Sequence, residues 1–121
     1  MDNLKEFSIR DKVCEALNLI GVPYALAAKN EGDDVFIVYN TTDRPLFFSD
    51  DEEDVTQYKV TINIFSKYDF TELEKKVKKI MIDSGFDKDY YPHCQYIDNM
   101  GIYNQPLYFK YNLEGEKICQ E

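Results

Sequence analysis

The sequence lacks tryptophan and has one histidine, three cysteines, five glycines and four prolines in 121 residues. The cysteines, Cys14, Cys94 and Cys119, are odd in number and far apart. They therefore match neither a disulfide framework nor the ligand spacing of a zinc site, and we interpret them as ordinary thiols in a reducing compartment. No internal repeat and no Gly/Ser-rich linker interrupts the chain.

Long apolar runs and an excess of positive charge are also missing. No window reaches the roughly 18–20 apolar residues of a membrane span, and residues 1–6 lack the basic start and apolar run of a signal peptide. The formal net charge of −9 disfavours generic binding to nucleic acid, because that affinity depends on basic side chains displacing counterions. We expect a cytoplasmic protein without membrane contact and without direct nucleic acid binding.

What the chain does have is enough apolar and aromatic sequence for one domain, residues 1–121. A hydrophobic content of 44% is sufficient for a core without metals or disulfides. Ten tyrosines and eight phenylalanines suit both sheets and contact surfaces, because tyrosine joins an apolar ring to a polar tip. The composition fits partner binding and a tyrosine-rich core equally well.

Helical periodicity predicts two helices. The first is capped by Ser8 and stops near Ile20, since Gly21 suits a left-handed cap and Pro23 prevents continuation. The second begins at Asp69 or Thr71 and ends at Gly85. Its apolar stripe is Leu73, Val77, Ile80 and Met81, and its outward side carries Lys75, Lys76, Lys78 and Lys79.

Alternation of apolar and polar residues predicts the strands, most clearly from Val55 to Ser66. Further strands are predicted at residues 24–28, 35–39, 94–97 and 102–113. Residues 40–54 are predicted to form a long excursion with at most a short strand, and residues 86–92 a link. Pro106 implies a bulge or an edge position in the last strand.

These elements indicate an α+β fold, with a mostly antiparallel four- to five-stranded sheet and two amphipathic helices packed on one face. The other face of the sheet, or an exposed edge strand, is then a natural subunit contact.

Candidate chemistry is sparse. His93 is followed directly by Cys94, but neighbouring strand positions point to opposite faces, so a catalytic pair is not expected. The lysines of the second helix follow Glu72 and Glu74 and are interpreted as a solvated helix face rather than a phosphate site. Phosphate-binding and dinucleotide-binding glycine motifs are absent from the sequence. We predict no catalytic residues, no cofactor and no enzymatic activity.

One acidic run is the candidate site for a partner. It lacks the glycine and the ligand spacing of a calcium loop, so we interpret it as a solvated loop or an electrostatic docking surface rather than a metal site. Its residues are Asp50, Asp51, Glu52, Glu53 and Asp54.

Several stretches, distributed over nearly the whole chain, together form a pattern that resembles a known protein family. In chain order they are Ser8–Val13, Gly21–Pro23, Val35–Tyr39, Tyr58–Ser66, Tyr96–Tyr103 and Leu107–Tyr111. In this order they resemble the tail terminator, or tail completion, proteins of long-tailed bacteriophages and related prophages.

The resemblance implies a small α+β subunit that forms a ring, typically a hexamer, on the head-facing end of the tail tube. The implied partners are further copies of the chain, the tail tube protein and the head–tail connector protein. The protein would then be a structural virion component at the head-proximal end of the tail, made in the host cytoplasm. The acidic run would face either a partner or the channel of the ring, where it would repel DNA.

Three other interpretations stay open at this point. Within particle assembly, a stopper or adaptor of the head–tail connector has a similar size and build. From a different class, a stand-alone acidic binding module or inhibitor would fit the net charge. An enzyme would require a perturbed pair of residues in a pocket.

Overall fold

The computed structural model of the chain describes residues 7–27, 33–46 and 55–114. The elements, in chain order, are α1 Ile9–Asn18, β1 Tyr24–Leu26, β2 Val35–Leu46, β3 Val55–Ser66, α2 Thr71–Asp83, β4 Asp87–Tyr90, β5 Gln95–Ile97 and β6 Ile102–Glu114. This is an α+β fold, as predicted.

The strands form one sheet in the order β1-β2-β3-β6-β4, and β5 also pairs with β6. The β1–β2 pair is parallel, and the other pairs are antiparallel. The predicted link at residues 86–92 contains the strand that the sequence did not indicate, β4. All four of its residues are exposed, so it has no apolar alternation to signal a strand.

The prediction of a long excursion at residues 40–54 is wrong over its first half. β2 continues to Leu46 in unbroken register with β3, from the pair Val35↔Ser66 to the pair Leu46↔Val55. Residues 40–44 are mostly exposed, and their composition is polar. Cross-strand hydrogen bonds to β3 hold this half of β2, so hydrophobic periodicity could not reveal it.

Local capping sets the start and end of both helices. The Ser8 side chain accepts a hydrogen bond from the Asp11 backbone N–H at 3.2 Å, which satisfies one free donor of α1. Before α2, Asp69 Oδ1 accepts from the backbone N–H and the hydroxyl of Thr71 at 3.0 and 2.7 Å. After the helices, Gly21 and Gly85 take φ values of 87° and 102°, which glycine adopts without a steric penalty.

The two helices pack on one side of the sheet, which we call the covered face. The core of the protein lies between them and this face, as predicted for both helices and for β3. Side chains at alternate positions of β2, β3 and β6 point into this core and are fully buried: Ile37, Val60, Ile62, Ile64, Leu107 and Phe109. From the helices come Val13, Ala16, Leu17, Val77 and Met81.

Pro106 lies inside β6, in unbroken register with β3 opposite Asn63, so there is no bulge in that pairing. On the other side of β6, β5 pairs with residues 102–104 and β4 with residues 108–110. The proline therefore lies at a local edge between these two strands. No described strand pairs with β6 at this position, so the missing N–H of the proline removes no hydrogen bond between described strands.

Candidate interaction surface

The predicted acidic site, Asp50 to Asp54, lies outside the described residues. Its flanking strand ends are described: Leu46 and Val55 are paired at one end of the β2–β3 hairpin. The connection that carries the acidic run therefore leaves and rejoins the sheet at this end. The role of the run as a docking surface stays a prediction.

The negative charge is distributed unevenly along the chain. The described residues contain eleven lysines and arginines and thirteen aspartates and glutamates, so their formal charge is −2 of the total −9. Five of the remaining negative charges belong to the acidic run. The described surface is close to neutral, and it is not an acidic mimic of nucleic acid over this part of the chain.

Exposed tyrosines collect on the side of the sheet formed by β4, β5 and β6. Tyr90 and Tyr96 are 59% and 53% exposed, and Tyr103 is also exposed. The rings of Tyr90 and Tyr108 stack with centroids 6.3 Å apart, and those of Tyr96 and Tyr103 lie 4.8 Å apart. We call these four residues the tyrosine edge. Rigid amphipathic rings at a surface are typical of protein contacts.

The face of the sheet opposite the helices, which we call the open face, has a small apolar cluster at one end and a polar centre. Phe36, Val38 and Ile102 are buried there, and Phe65, Ile97 and Met100 pack against them. The cluster is thus largely covered by β5 and the turn that follows it. The open face does not present a wide apolar patch in the described residues.

The centre of the open face is occupied by amide side chains. Asn104 Nδ2 lies 3.4 Å from Asn63 Oδ1, and Asn63 Nδ2 lies 3.5 Å from the Val38 carbonyl oxygen. Beyond them, Lys59 forms an ion pair with Asp89 at 3.2 Å. These groups satisfy one another across strands, so this part of the face suits contact with water or with a polar surface.

The opposite edge of the sheet is only partly covered. β1 pairs with residues 37–39 of β2 and ends at Leu26, directly before Ala27, the one non-glycine residue with positive φ (54°) in the described chain. Among the described residues, no strand pairs with residues 40–46 of β2 on this side. An unpaired strand edge of this kind accepts other strands.

Among the described residues, the thiols of Cys14 and Cys94 and the imidazole of His93 do not form a reactive centre. Partial desolvation and the nearby Glu74 carboxylate raise the pKa of the Cys94 thiol, although the backbone N–H of Asn104 opposes this, so the thiolate is disfavoured. His93 and Cys94 are both exposed. In the described segments, no group of three His, Cys, Asp or Glu side chains is placed to hold a metal ion.

Cys14 is partly buried beside the hydroxyl group of a tyrosine. Its Sγ lies 3.3 Å from the Tyr39 hydroxyl, and the Tyr24 ring packs 6.2 Å from the Tyr39 ring. Burial and the hydrogen bond with Cys14 raise the pKa of Tyr39 to about 12. Tyr39 thus stays protonated in the folded protein well above neutral pH.

Lys75, Lys78 and Lys79 of α2 form ion pairs within their own helix, as expected of a solvated face, whereas Lys76 Nζ donates to the Ile20 carbonyl at 3.0 Å. Lys78 and Lys79 lie 2.8 and 3.0 Å from Glu74 and Asp83, one helical turn away. The Lys78 ammonium also lies 4.5 Å from the centre of the Tyr91 ring. Neither helix of the described chain is long and apolar enough to cross a membrane.

Sequence reasoning indicated the class of surface but not its residues. The expectation of an exposed edge strand pointed to subunit contacts, whereas the tyrosine content fitted partner binding and a tyrosine-rich core equally well. The tyrosine edge depends on β4, which the sequence did not reveal, and the free edge of β2 depends on where β1 ends. The positive φ of Ala27 has no sequence signal, because alanine does not favour it.

No protein-family model and no curated protein matches the sequence. A chain from the virion of a native gene transfer agent (GTA) particle has a similar fold, with a TM-score of 0.54 and 10% sequence identity. The match covers 89% of this chain and 92% of that chain. At this identity the likeness concerns the fold, and it extends over nearly all of both chains.

Proposed function

We propose that this chain is a structural subunit of a virion or virion-like particle. The observation that carries the proposal is the fold shared with a chain of the gene transfer agent virion, because the similarity covers both chains almost completely. The whole domain is matched, rather than one common motif. On this proposal the protein acts through its surfaces and performs no bond-making chemistry.

Within that class, we propose the role of tail terminator: a ring that caps the tail tube at its head-proximal end and joins it to the head connector. The sequence resemblance to that family supports this role. The two unlike edges of the sheet support it as well, because a ring requires two different patches on each subunit that meet head to tail.

The acidic run would face either the channel of the ring or a partner protein. In both positions its five carboxylates would act through charge, by repelling DNA or by docking on a basic surface. Replacing Asp50, Asp51, Glu52, Glu53 and Asp54 with serine should reduce the joining of heads to tails or the passage of DNA. An unchanged yield of infectious or transducing particles would rule out this role for the run.

The location of the protein tests the proposal directly. Particles from the phage or prophage that encodes the chain would be labelled with an antibody to it and examined by electron microscopy. Label confined to the head-proximal end of the tail is the expected result. If particles that contain all other tail proteins lack the chain, the structural role is wrong and the acidic binding module becomes the leading interpretation.

Tail length separates a terminator from a connector component. Deleting the gene should give tails of irregular, extended length if the chain stops tube growth. Tails of normal length that fail to join heads would instead indicate a stopper or adaptor. Complementation with the intact chain controls for effects on neighbouring genes.

A further inference from the structure

We propose that the outer edge of β2 at residues 40–43, which no described strand pairs with, binds β4 of a second copy, so that the sheet continues from subunit to subunit. This inference rests on the proposed ring and supplies its subunit contact. Four independent features of the two edges agree: their level in the sheet, their direction, the outward backbone groups and the charges beside them.

The strand register shows which residues of the two edges lie at the same position along the strand axis, which we call their level in the sheet. Thr41 of β2 is opposite Val60, Val60 is opposite Phe109, and Phe109 is opposite Lys88 of β4. In the same way, Thr42 is connected through Lys59 and Lys110 to Asp87. β4 therefore lies at the level of residues 40–42, where β2 has no described partner on its outer side.

The strand directions suit an antiparallel contact. Each strand is antiparallel to the next from β2 through β3 and β6 to β4, so β4 runs antiparallel to β2. A second copy placed beside the first by rotation about an axis along the strands keeps its direction. Its β4 then meets β2 as an antiparallel neighbour, which is the usual pairing in this sheet.

The backbone groups at the two edges are in phase. The Ile37 N–H donates to the Pro23 carbonyl, and the Tyr39 carbonyl accepts from Ala27, so odd-numbered residues of β2 direct their groups outward. Thr41 and Asp43 continue this series. The same alternation, followed through β3 and β6, turns Asp87 toward β6 and Lys88 outward.

Thr41 and Lys88 of the second copy can therefore exchange two backbone hydrogen bonds as a directly opposed pair. Their side chains would both lie on the helix side of the joined sheet, since Thr41 aligns with Val60 and Lys88 with Phe109. The pleat thus continues across the contact at Asp87 and Lys88, up to the register shift that follows Lys88 in β4.

Charges beside this pair are complementary. In the same register, Asp43 lies diagonally across from Lys88 of the second copy on the helix side, and Arg44 lies diagonally across from its Asp87 on the open side. All four side chains are exposed. Opposite charges at such diagonal positions attract, and a shift by one residue would lose both pairings.

A disulfide trap tests the pairing in the full chain. Thr42→Cys and Asp87→Cys would be combined in a background with Cys94→Ser and Cys119→Ser. Within one copy these positions are three strand spacings apart, about 14 Å, whereas a disulfide needs Cα atoms within about 7 Å. Any bond between them must therefore join two copies.

The expected result is a ladder of covalent oligomers on a non-reducing gel after mild oxidation, both from concentrated protein and from purified particles. The matched control combines Thr41→Cys with Asp87→Cys, because these side chains point to opposite faces of the sheet. The control pair should yield at least tenfold less ladder. Equal ladders from both pairs would overturn the proposed register.

The outcomes separate this inference from the proposed function. Particles that contain the chain in several copies but give no ladder would overturn the edge pairing and leave the virion role intact. A ladder from the purified protein, with the chain absent from particles, would support the pairing and contradict the virion role.

A charge exchange provides a second measurement that does not depend on cysteine. Asp43→Lys should repel Lys88 of the neighbouring copy and lower the yield of rings or particles by about two- to fivefold for each contact, as is usual for exposed charge pairs. Combining it with Lys88→Asp should restore assembly, because the attraction is reversed rather than lost. Within one chain the two residues lie at opposite edges of the sheet, so rescue requires contact between copies. No rescue by the double variant, with each chain folded normally, would contradict the pairing.

Discussion

The two faces of this sheet are built from the same three long strands but have different properties. On the covered face, Val60, Ile62 and Ile64 are fully buried beneath the helices. Thr61 and Asn63, which alternate with these residues along β3, lie on the open face and are only partly buried. Alternation along a strand thus separates the residues that hold the domain together from those free to contact other molecules.

The comparison predicts which substitutions should affect folding and which should affect assembly. Changes on the covered face should act on folding, because they remove buried contacts. Changes on the open face and at the two edges should act on assembly, with little effect on the free energy of unfolding. The predictions that follow test this division, beginning with the largest expected effect.

Ile62→Ala should lower the free energy of unfolding by about 2–5 kcal/mol, because it leaves a cavity at a fully buried site. Asn63→Ala is the matched control on the next residue of the same strand. It removes two long and therefore weak side-chain hydrogen bonds and should cost about 1 kcal/mol. Denaturant unfolding measures both. Equal losses would contradict the division between the faces.

Ionisation of Tyr39, which lies on the covered face, should lower the free energy of unfolding at alkaline pH. Its phenol ionises near its ordinary pKa in the unfolded chain but near 12 in the folded protein, so the unfolded state loses its proton first as pH rises. Its contribution is complete below pH 10, and about 2–3 kcal/mol should be lost between about pH 10 and 12. Tyr39→Phe should lose less stability over this range. Parallel pH curves for the two proteins would show that Tyr39 is not responsible.

Ser8→Ala tests the helix that covers the sheet. The Ser8 side chain caps α1 through the Asp11 N–H, and its removal should cost about 1 kcal/mol. Ser8→Asp keeps a capping oxygen and should retain most of the stability. Thermal unfolding of the three proteins measures the effect, and an Asp variant as weak as the Ala variant would argue against capping.

Tyr90→Ser should have the smallest effect on stability, less than about 1 kcal/mol, because the ring is exposed and contacts chiefly Tyr108. It should nevertheless reduce incorporation into particles, since it removes an aromatic ring from the tyrosine edge. Leu19→Ser is the control, because Leu19 is at least as exposed as Tyr90 but follows α1 and is not part of the tyrosine edge. The same loss of incorporation from both variants would remove the special role of this edge.

Elements with their own pattern were predictable from the sequence. β3 has the predicted bounds, because its alternation reflects two different faces along its whole length. α1 and α2 were recognisable from their apolar stripes and from the residues that cap them, and both pack on one face as expected.

Elements defined by their neighbours were not predictable. The second half of β2 is polar and owes its strand conformation to β3, and β4 is exposed along its whole length and owes its conformation to β6. The candidate edges share this property. Their availability depends on where a neighbouring strand ends, as β1 ends at Leu26, and a single sequence does not record that.

The position of β6 has a consequence for the order of folding. It follows all the other described elements along the chain, yet it lies inside the sheet between β3 and the pair formed by β4 and β5. The β2–β3 hairpin needs only local contacts, whereas β6 must close a loop that contains α2, which slows its addition. A chain still being synthesised therefore exposes the inner edge of β3 until residues 102–114 have left the ribosome. Of the two edges proposed for subunit contact, β4 becomes complete only after that step, because it pairs with β6, so each subunit finishes folding before it can join another through β4.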